Sequence, residues 1–463
     1  MLSDYSTKLR HMSSYWTHPS VRGLGGDRDP VEAIVERARE VVLDALEKGW
    51  TGPPFDPFAL AKHLNIPVVP RDDINDARTI PLAGNRLQVE YNPHKPQVRV
   101  RFSVAHELAH TLFPDCRDQT RHRLGRDHMK ADDWQLEMLC NLAAAEMLMP
   151  VGSFEELRDE ELSIDRVLSL RERYQVSAEA VLYRIVRLSQ NPVAAFCCSR
   201  LEDGADKGRY RVDVIRGHHG LTPPLAIGDL LPADSVAAEC TAIGFTAKSD
   251  EHWGKNSLKF QVECVGAPPY PDHTFPRVLG LLIPKGKQAG KPSKISYLKG
   301  DATQPRGTGQ RIIAHVVNDK AARWGAGFAK AVKAKWPTVQ TEFIEWSQRY
   351  KSQFKLGNCR LISVEPSLGL FQMIAQRGYG DSAGPRIRYT ALSRCLDELG
   401  QLAASKSASV HMPRIGCGQA GGHWFVVREL VEESLVDRGI SVFVYDLPDE
   451  DWNEPRGQQS LFS

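Results

Sequence analysis

Apolar residues recur every three to four positions in VEAIVERAREVVLDALEKG, residues 31–49, which predicts an amphipathic helix. The residues before it are broken by Gly-Leu-Gly-Gly-Asp and Asp-Pro, so 1–29 are expected as a loosely attached arm. PPFDPFALAKHLNIPVVP reads as a turn, a short helix and a strand. NRLQVEYN and QVRVRF alternate like two strands of a hairpin, joined by Asn92-Pro93-His94-Lys95, and lead into a helix over FSVAHELAHTLF. A second helix, DWQLEMLCNLAAAEMLM, stops at Pro150. Ser153-Phe154-Glu155-Glu156 has the form of a helix cap, and two further amphipathic helices are predicted within 164–174 and 177–189. Beyond Val193 the period changes. VAAFCC, YRVDVIR, LKFQVECV and VLGLLI are short β-like runs, and PKGKQAGKPSK has linker composition. RIIAHVV, CRLISVE, FQMIAQ, SASVHMP and ISVFVYD then alternate with helical segments, the mark of a layered α/β domain. The expected organisation is therefore multidomain α+β and α/β: an arm at 1–29, an α-rich domain at 30–190, a β-rich domain at 193–284, a linker at 285–293, a three-layer α/β domain at 294–448 and a tail at 449–463.

Composition adds exclusions. Lys+Arg 59 against Asp+Glu 57 gives a net charge of +2, too balanced to steer the whole chain onto nucleic acid or an anionic membrane. No apolar run is long enough to span a bilayer, and the first 30 residues lack the apolar core of a secretory signal, so a cytoplasmic protein without a membrane partner is expected. The nine scattered cysteines are expected as reduced, mostly buried thiols.

The first candidate chemistry lies in His106-Glu107-Leu108-Ala109-His110. Two histidines four apart share one helical face and can hold a single ion, with Glu107 beside them to take a proton from water. A hydrolytic site needs a third protein ligand and an open fourth position. Glu137 and Glu146 are the acidic residues in the helix that follows; Glu137 is preferred because Asn141, one turn on, can orient a histidine from behind, and Glu146 is expected as a surface carboxylate. PPFDPFALAKHLNIPVV, VRVRFSVAHELAHTLF and LEMLCNLAAAEMLMP, in that order, resemble the ImmA/IrrE family of metallopeptidases over about residues 30–190. The resemblance implies Zn2+ at His106, His110 and Glu137, Glu107 as catalytic base, and a helix-turn-helix repressor or similar regulator as protein substrate, in stress response or transcription regulation. The basic insert with Arg117, Arg121, Arg123, Arg126 and Lys130 is expected as a solvated loop. The helix pair in 164–189 has helix-turn-helix spacing, yet direct DNA binding is not expected of it.

The second lies in SVHMPRIGCGQAGGHW, where a GxGxxG follows a strand and precedes a helix, a geometry that suits a pyrophosphate. Too little chain follows for this to open a dinucleotide-binding domain. With ISYLKGDATQP, IIAHVVNDKAARWGAGFAKAVKAKWP and FQMIAQRGYG, it resembles a macrodomain, which implies ADP-ribose or an ADP-ribosylated macromolecule as ligand. That resemblance assigns Asp301, with Ala302 beside it, to the adenine, Asn318 and Gly325-Ala326-Gly327 to the distal ribose, and Gly416, Cys417, Gly418, Gly421 and Gly422 to the diphosphate. Ala420 stands where a hydrolase of this kind is expected to carry aspartate, and MIAQRG offers Gln376 and Arg377 in place of a lysine, which favours a sensor or targeting module over ADP-ribose processing. The alternative is an ADP-ribose-processing enzyme, an ADP-ribosyl hydrolase or ADP-ribose phosphate phosphatase, whose N-terminal domain only docks a protein. Communication between the two sites is expected to run through the β-rich domain unless the two ends of the chain touch.

Overall fold

The computed structural model describes residues 16–118, 121–122, 132–154, 162–189, 191–218, 221–254, 258–270, 273–285, 295–320, 324–380 and 385–447. These form two compact units, one drawn from Met1–Ser153 and Ser293–Ser463, the other from Phe154–Pro292. Most of the basic insert, the greater part of the expected linker, the tail and Glu155-Glu156 of the expected cap lie outside the described residues.

The first segment of unit one contains α1 (Pro19–Gly25), α2 (Pro30–Glu47), α3 (Pro57–His63), β1 (Val68–Pro70), β2 (Ala77–Leu82), β3 (Arg86–Tyr91), α4 (Gln97–His110), β4 (Arg121–His122) and α5 (Asp133–Leu148). Helix α2 starts where Asp29 accepts from the Val31 N–H and Pro30 supplies a fixed φ. Its apolar stripe, Ala33, Ile34, Ala38, Val42 and Leu46, is buried, and it packs on α5. Residues 16–29 do not form the loose arm expected from their glycines. Trp16 is buried, and the Thr17 and His18 N–H groups donate to Gln135 Oε1 at 2.9 and 3.0 Å, pinning the segment to α5.

QVRVRF also departs from expectation, since it forms the first turns of α4 and not a strand. Burial decides against the valine–arginine alternation: Arg101 is enclosed, with Nη2 donating to the Phe55 carbonyl at 2.7 Å. The antiparallel partner of β3 is β2, paired from Ala77↔Tyr91 to Leu82↔Arg86. The strands turn through Gly84 and Asn85, both with positive φ. Strand order is β1-β3-β2-β4.

Unit two holds α6 (Ile164–Tyr174), α7 (Ala178–Leu188) and an antiparallel sheet of β5 (Val193–Arg200), β6 (Tyr210–His218), β7 (Thr246–Trp253), β8 (Leu258–Ala267) and β9 (Arg277–Pro284), in the order β6-β5-β9-β8-β7. The two helices, grouped by sequence with the peptidase-like module, pack on this sheet. The Ile164 N–H donates to Glu263 Oε2 at 2.9 Å, and Arg277 pairs with Glu179 at 3.0 Å. Phe196, Trp253 and Phe260 centre its core.

The second segment of unit one builds a six-stranded sheet, β10-β15-β14-β11-β13-β12. Its strands are β10 (Ser296–Lys299), β11 (Arg311–Asn318), β12 (Cys359–Glu365), β13 (Leu368–Gln376), β14 (Ser409–Pro413) and β15 (Val442–Asp446), parallel except for β12. Residues of α8 (Gly327–Lys335) and α9 (Pro337–Arg349) cover one face through Val332, Val339, Phe343 and Trp346. Helix α10 (Tyr389–Lys406) packs on β13, and α11 (Trp424–Val431) packs on α10.

The two segments of unit one meet along α2, which touches α5 and also α10. Arg39 bridges Glu146 of α5, at 3.5 Å, and Glu433, whose Oε1 is 3.0 Å from Nη2. Glu146 is therefore a buried ion-pair partner and not the surface carboxylate expected. Arg394 pairs with Glu40, Arg388 lies 3.6 Å from Glu47, and the Gly152 N–H donates to Glu429 Oε2 at 2.7 Å.

Candidate functional site

Helix α4 carries His106, Glu107 and His110 on buried turns, and α5 crosses it with Glu137, Cys140 and Asn141. His106 Nε2 lies 3.2 Å from Glu137 Oε2, and His110 Nε2 lies 3.7 Å from Glu137 Oε1. The outer nitrogens face other groups. His106 Nδ1 is 3.0 Å from Asn141 Oδ1, and His110 Nδ1 is 3.4 Å from Cys140 Sγ. An amide oxygen accepts only, so Nδ1 of His106 carries the hydrogen and Nε2 presents its lone pair toward Glu137. His106 Nε2 is buried with no hydrogen-bond partner among the described residues. Two imidazole nitrogens and a carboxylate thus converge, a donor set that fits a divalent metal of the zinc type. His106, His110 and Cys140 can also bring one donor atom each within 4.8 Å of one another. The cysteine, however, sits at the outer edge of His110, where it orients the ring.

Glu107 is fully buried. The Thr79 hydroxyl, on β2, lies 2.9 Å from both Glu107 Oε2 and the Glu107 carbonyl, and its single proton is shared between them. Sequence reasoning missed Thr79. The one signal for it was the Gly84-Asn85 turn, which implied a strand before β3.

In the second segment of unit one, a cavity of about 830 Å³ opens at the C-terminal ends of the strands. Of the residues assigned from sequence, Asp301, Ala302, Ala326, Gly327, Gly416 and Gly418 line it; Asn318, Gly325, Cys417, Gly421 and Gly422 lie outside its wall. The loop after β14 needs its glycines. Gly416 has φ 73°, a side chain there would meet Ile387 at 2.7 Å, and one at Gly422 would meet the Gly416 carbonyl at 2.7 Å. Asp301 is engaged locally, accepting from the Thr303 N–H at 2.8 Å and hydroxyl at 2.9 Å. Asn318 Oδ1 accepts from the Lys320 N–H at 3.0 Å. The wall also includes His315, Phe328, Arg414 and Asp446, which were not assigned. Arg414 holds Asp446 through two hydrogen bonds of 2.7 and 2.9 Å and lies over the rings of Tyr297 and Trp424.

With this geometry in place, the likenesses to known proteins fall on two separate stretches of the chain, the first of which runs across the boundary between the two units. The family model of the IrrE N-terminal-like domain, a peptidase family, matches residues 61–186. Radiation response metalloprotease IrrE of Deinococcus radiodurans is 27% identical over 177 residues, 33% of this chain and 51% of that protein. Chromodomain-helicase-DNA-binding protein 1-like of Mus musculus is 29% identical over 164 residues, 34% of this chain and 18% of that one. The chain thus spans about half of the first relative's length and less than a fifth of the second's. A solved macrodomain protein from Streptomyces coelicolor is 40% identical, with 33% of this chain and 99% of that chain covered and a TM-score of 0.30. The chain therefore carries an IrrE N-terminal-like domain and, in the α/β layers built on β10 to β15, belongs to the macrodomain proteins.

Proposed function

We propose that the chain is a zinc-dependent endopeptidase whose action on a regulatory protein, a helix-turn-helix repressor or similar regulator, is targeted or tuned by ADP-ribose held in its macrodomain. The observation that carries the reading is the convergence of His106 Nε2 and His110 Nε2 on the Glu137 carboxylate, with Glu107 buried beside them. His106, His110 and Glu137 would hold the ion; when bound, it polarises the scissile carbonyl and acidifies water. Glu107 accepts the proton and passes it to the leaving amine, while Thr79 fixes its carboxylate and Asn141 fixes the His106 ring. The reading is of a cytoplasmic protein serving stress response or transcription regulation; among the described residues no helix is long and apolar enough to cross a membrane.

For the macrodomain, recognition is favoured over hydrolysis. The carboxylates in the described cavity wall are Asp301 and Asp446, and each already accepts hydrogen bonds, from Thr303 and Arg414. Ala420 lines the wall and has no group that could move a proton. ADP-ribose, free or on a macromolecule, is the proposed ligand.

The purified protein should contain about one zinc per chain. Glu107→Gln is expected to keep the metal and lose cleavage of a candidate repressor, Glu137→Ala to lose the metal, and Cys140→Ser to retain it. Normal zinc content in Glu137→Ala, or wild-type cleavage by Glu107→Gln, would sink the site. Calorimetry with the intact protein should show ADP-ribose binding, and absence of heat at millimolar ligand would overturn the macrodomain assignment.

A further inference from the structure

One face of the macrodomain sheet carries polar groups where its neighbours are apolar. Along β11, Ile313, His315 and Val317 point to the side covered by α8 and α9; on β13, Leu370, Gln372 and Ile374 do the same, with His315 and Gln372 in register. Ile313, Val317, Leu370 and Ile374 belong to one apolar core with Trp324 and Phe343. His315 is 2% exposed and Gln372 is fully buried within it. His315 Nδ1, both amide atoms of Gln372 and Trp324 Nε1 are buried with no hydrogen-bond partner among the described residues. A side chain kept only for packing would avoid that penalty, since leucine at either position carries no polar atom of its own to leave unpaired.

His315 also reaches the cavity wall, beside Ala326, Gly327 and Phe328, whose ring is 5.5 Å from the imidazole. Asp301 and Asp446 stand across the sheet: β14 separates β11 from the strand that ends in Asp446. The cavity therefore has an acidic end at β10 and β15 and a His315 end at the start of α8. We propose that His315, backed by Gln372 and Trp324, is a specificity-determining residue that takes a hydroxyl of the sugar at the end of the ligand remote from the adenine. The proposal rests on the macrodomain cavity binding ADP-ribose. A hydroxyl suits this corner because it donates and accepts at once. Of the three side chains His315 alone lines the cavity, and a neutral imidazole offers one of each role; Gln372, in register on β13, and Trp324, 5.1 Å away ring to ring, stand behind it. Burial pushes His315 down to about 3, so the ring is neutral under all ordinary conditions and offers no charge to a phosphate. The cation in the described wall, Arg414, is bound to Asp446 near the other end.

The test compares ADP-ribose with ADP, which lacks the second sugar, by calorimetry on the full chain. Wild type is expected to bind ADP-ribose more tightly than ADP. His315→Leu should weaken ADP-ribose about tenfold and leave ADP within about twofold, with His315→Asn recovering most of the loss. Gln372→Leu should act in the same ligand-selective direction. The melting temperature of both leucine variants should equal or exceed that of wild type, because unpaired polar groups are removed. Equal losses for both ligands, or no loss for either, would overturn the role of His315 while leaving the macrodomain reading intact. If wild type binds neither ligand, that reading itself fails and takes the proposal with it.

Discussion

A hydroxyl on a strand holds the carboxylate on which the proposed chemistry turns. Thr79 lies 28 residues before Glu107 and is fully buried, and its hydroxyl tethers the carboxylate at Oε2. Thr79→Val keeps shape and removes the donor. Losing a charge-assisted hydrogen bond worth about 1.5 to 3 kcal/mol should lower kcat about tenfold to a hundredfold, with KM and zinc content little changed. Thr79→Ser should restore most of the rate, and a Val variant that turns over at the wild-type rate would exclude the role. Residues of this kind mark the limit of what the sequence discloses. Helical spacing puts His106 with His110 on one face and Glu137 with Asn141 on another, and only the family resemblance joined the two faces into one expected site; the structure brings them within 3.7 Å. Thr79 was hidden in ARTIPL, whose Pro81 argues against a strand. Asp301 shows the opposite case, a residue assigned to a ligand whose carboxylate is also engaged in a turn with Thr303.

Helix α10 has no side chain of its own at its N-terminal cap, where Arg388 stands. The cap comes from the last residue of α2. Glu47 accepts from the backbone N–H groups of Tyr389 and Thr390 and faces Arg388. Burial raises its carboxyl to about 7 from an ordinary 4.5, against the opposing pull of Arg388 and the two N–H groups. A raised carboxyl favours the neutral form in the folded state. Its contribution is thus full below about 4.5 and is lost as pH rises through about 7. Glu47→Gln should therefore raise stability by about 1 to 3 kcal/mol at pH 8 and change it little at pH 5, read as the difference in Tm between variant and wild type. An equal difference at both pH values would refute the assignment. Elements themselves were readable where one period dominated, as in α2, or where an apolar run was bounded by polar and turn residues, as in α5 and the strands of the macrodomain. Reading failed at α4, whose first turns imitate strand alternation, and at β7, TAKSDEHW, where charge masks a strand.

Nothing in the sequence disclosed that the two candidate sites share one unit. Arg39 and Glu433 are 394 positions apart, and no local pattern reports such a pair. Their contact removes the need to pass a signal through residues 193–284. The Ala420 carbonyl, on the glycine loop, accepts from the N–H groups of Arg386 at 2.8 Å and Ile387 at 3.0 Å; Arg388 follows and meets Glu47 of α2, which packs on the helix bearing Glu137. Saturating ADP-ribose is expected to change the cleavage rate of a true substrate by a factor between about 5 and 150, the usual range of coupling. Arg39→Ala should abolish that change and lower Tm, because Glu146 and Glu433 lose a buried partner. Identical rates with and without ligand would leave the macrodomain a targeting device. The discontinuity of this unit also bears on how the molecule is made and inherited. Synthesis delivers the segment up to Ser153 first, then the whole of Phe154–Pro292, and only afterwards the strands and helices that meet α2. The macrodomain partners of Arg39, Glu40 and Glu47 thus arrive last, and a recombination break near residue 290 would exchange a domain with its own sheet while leaving those three side chains without these ion pairs.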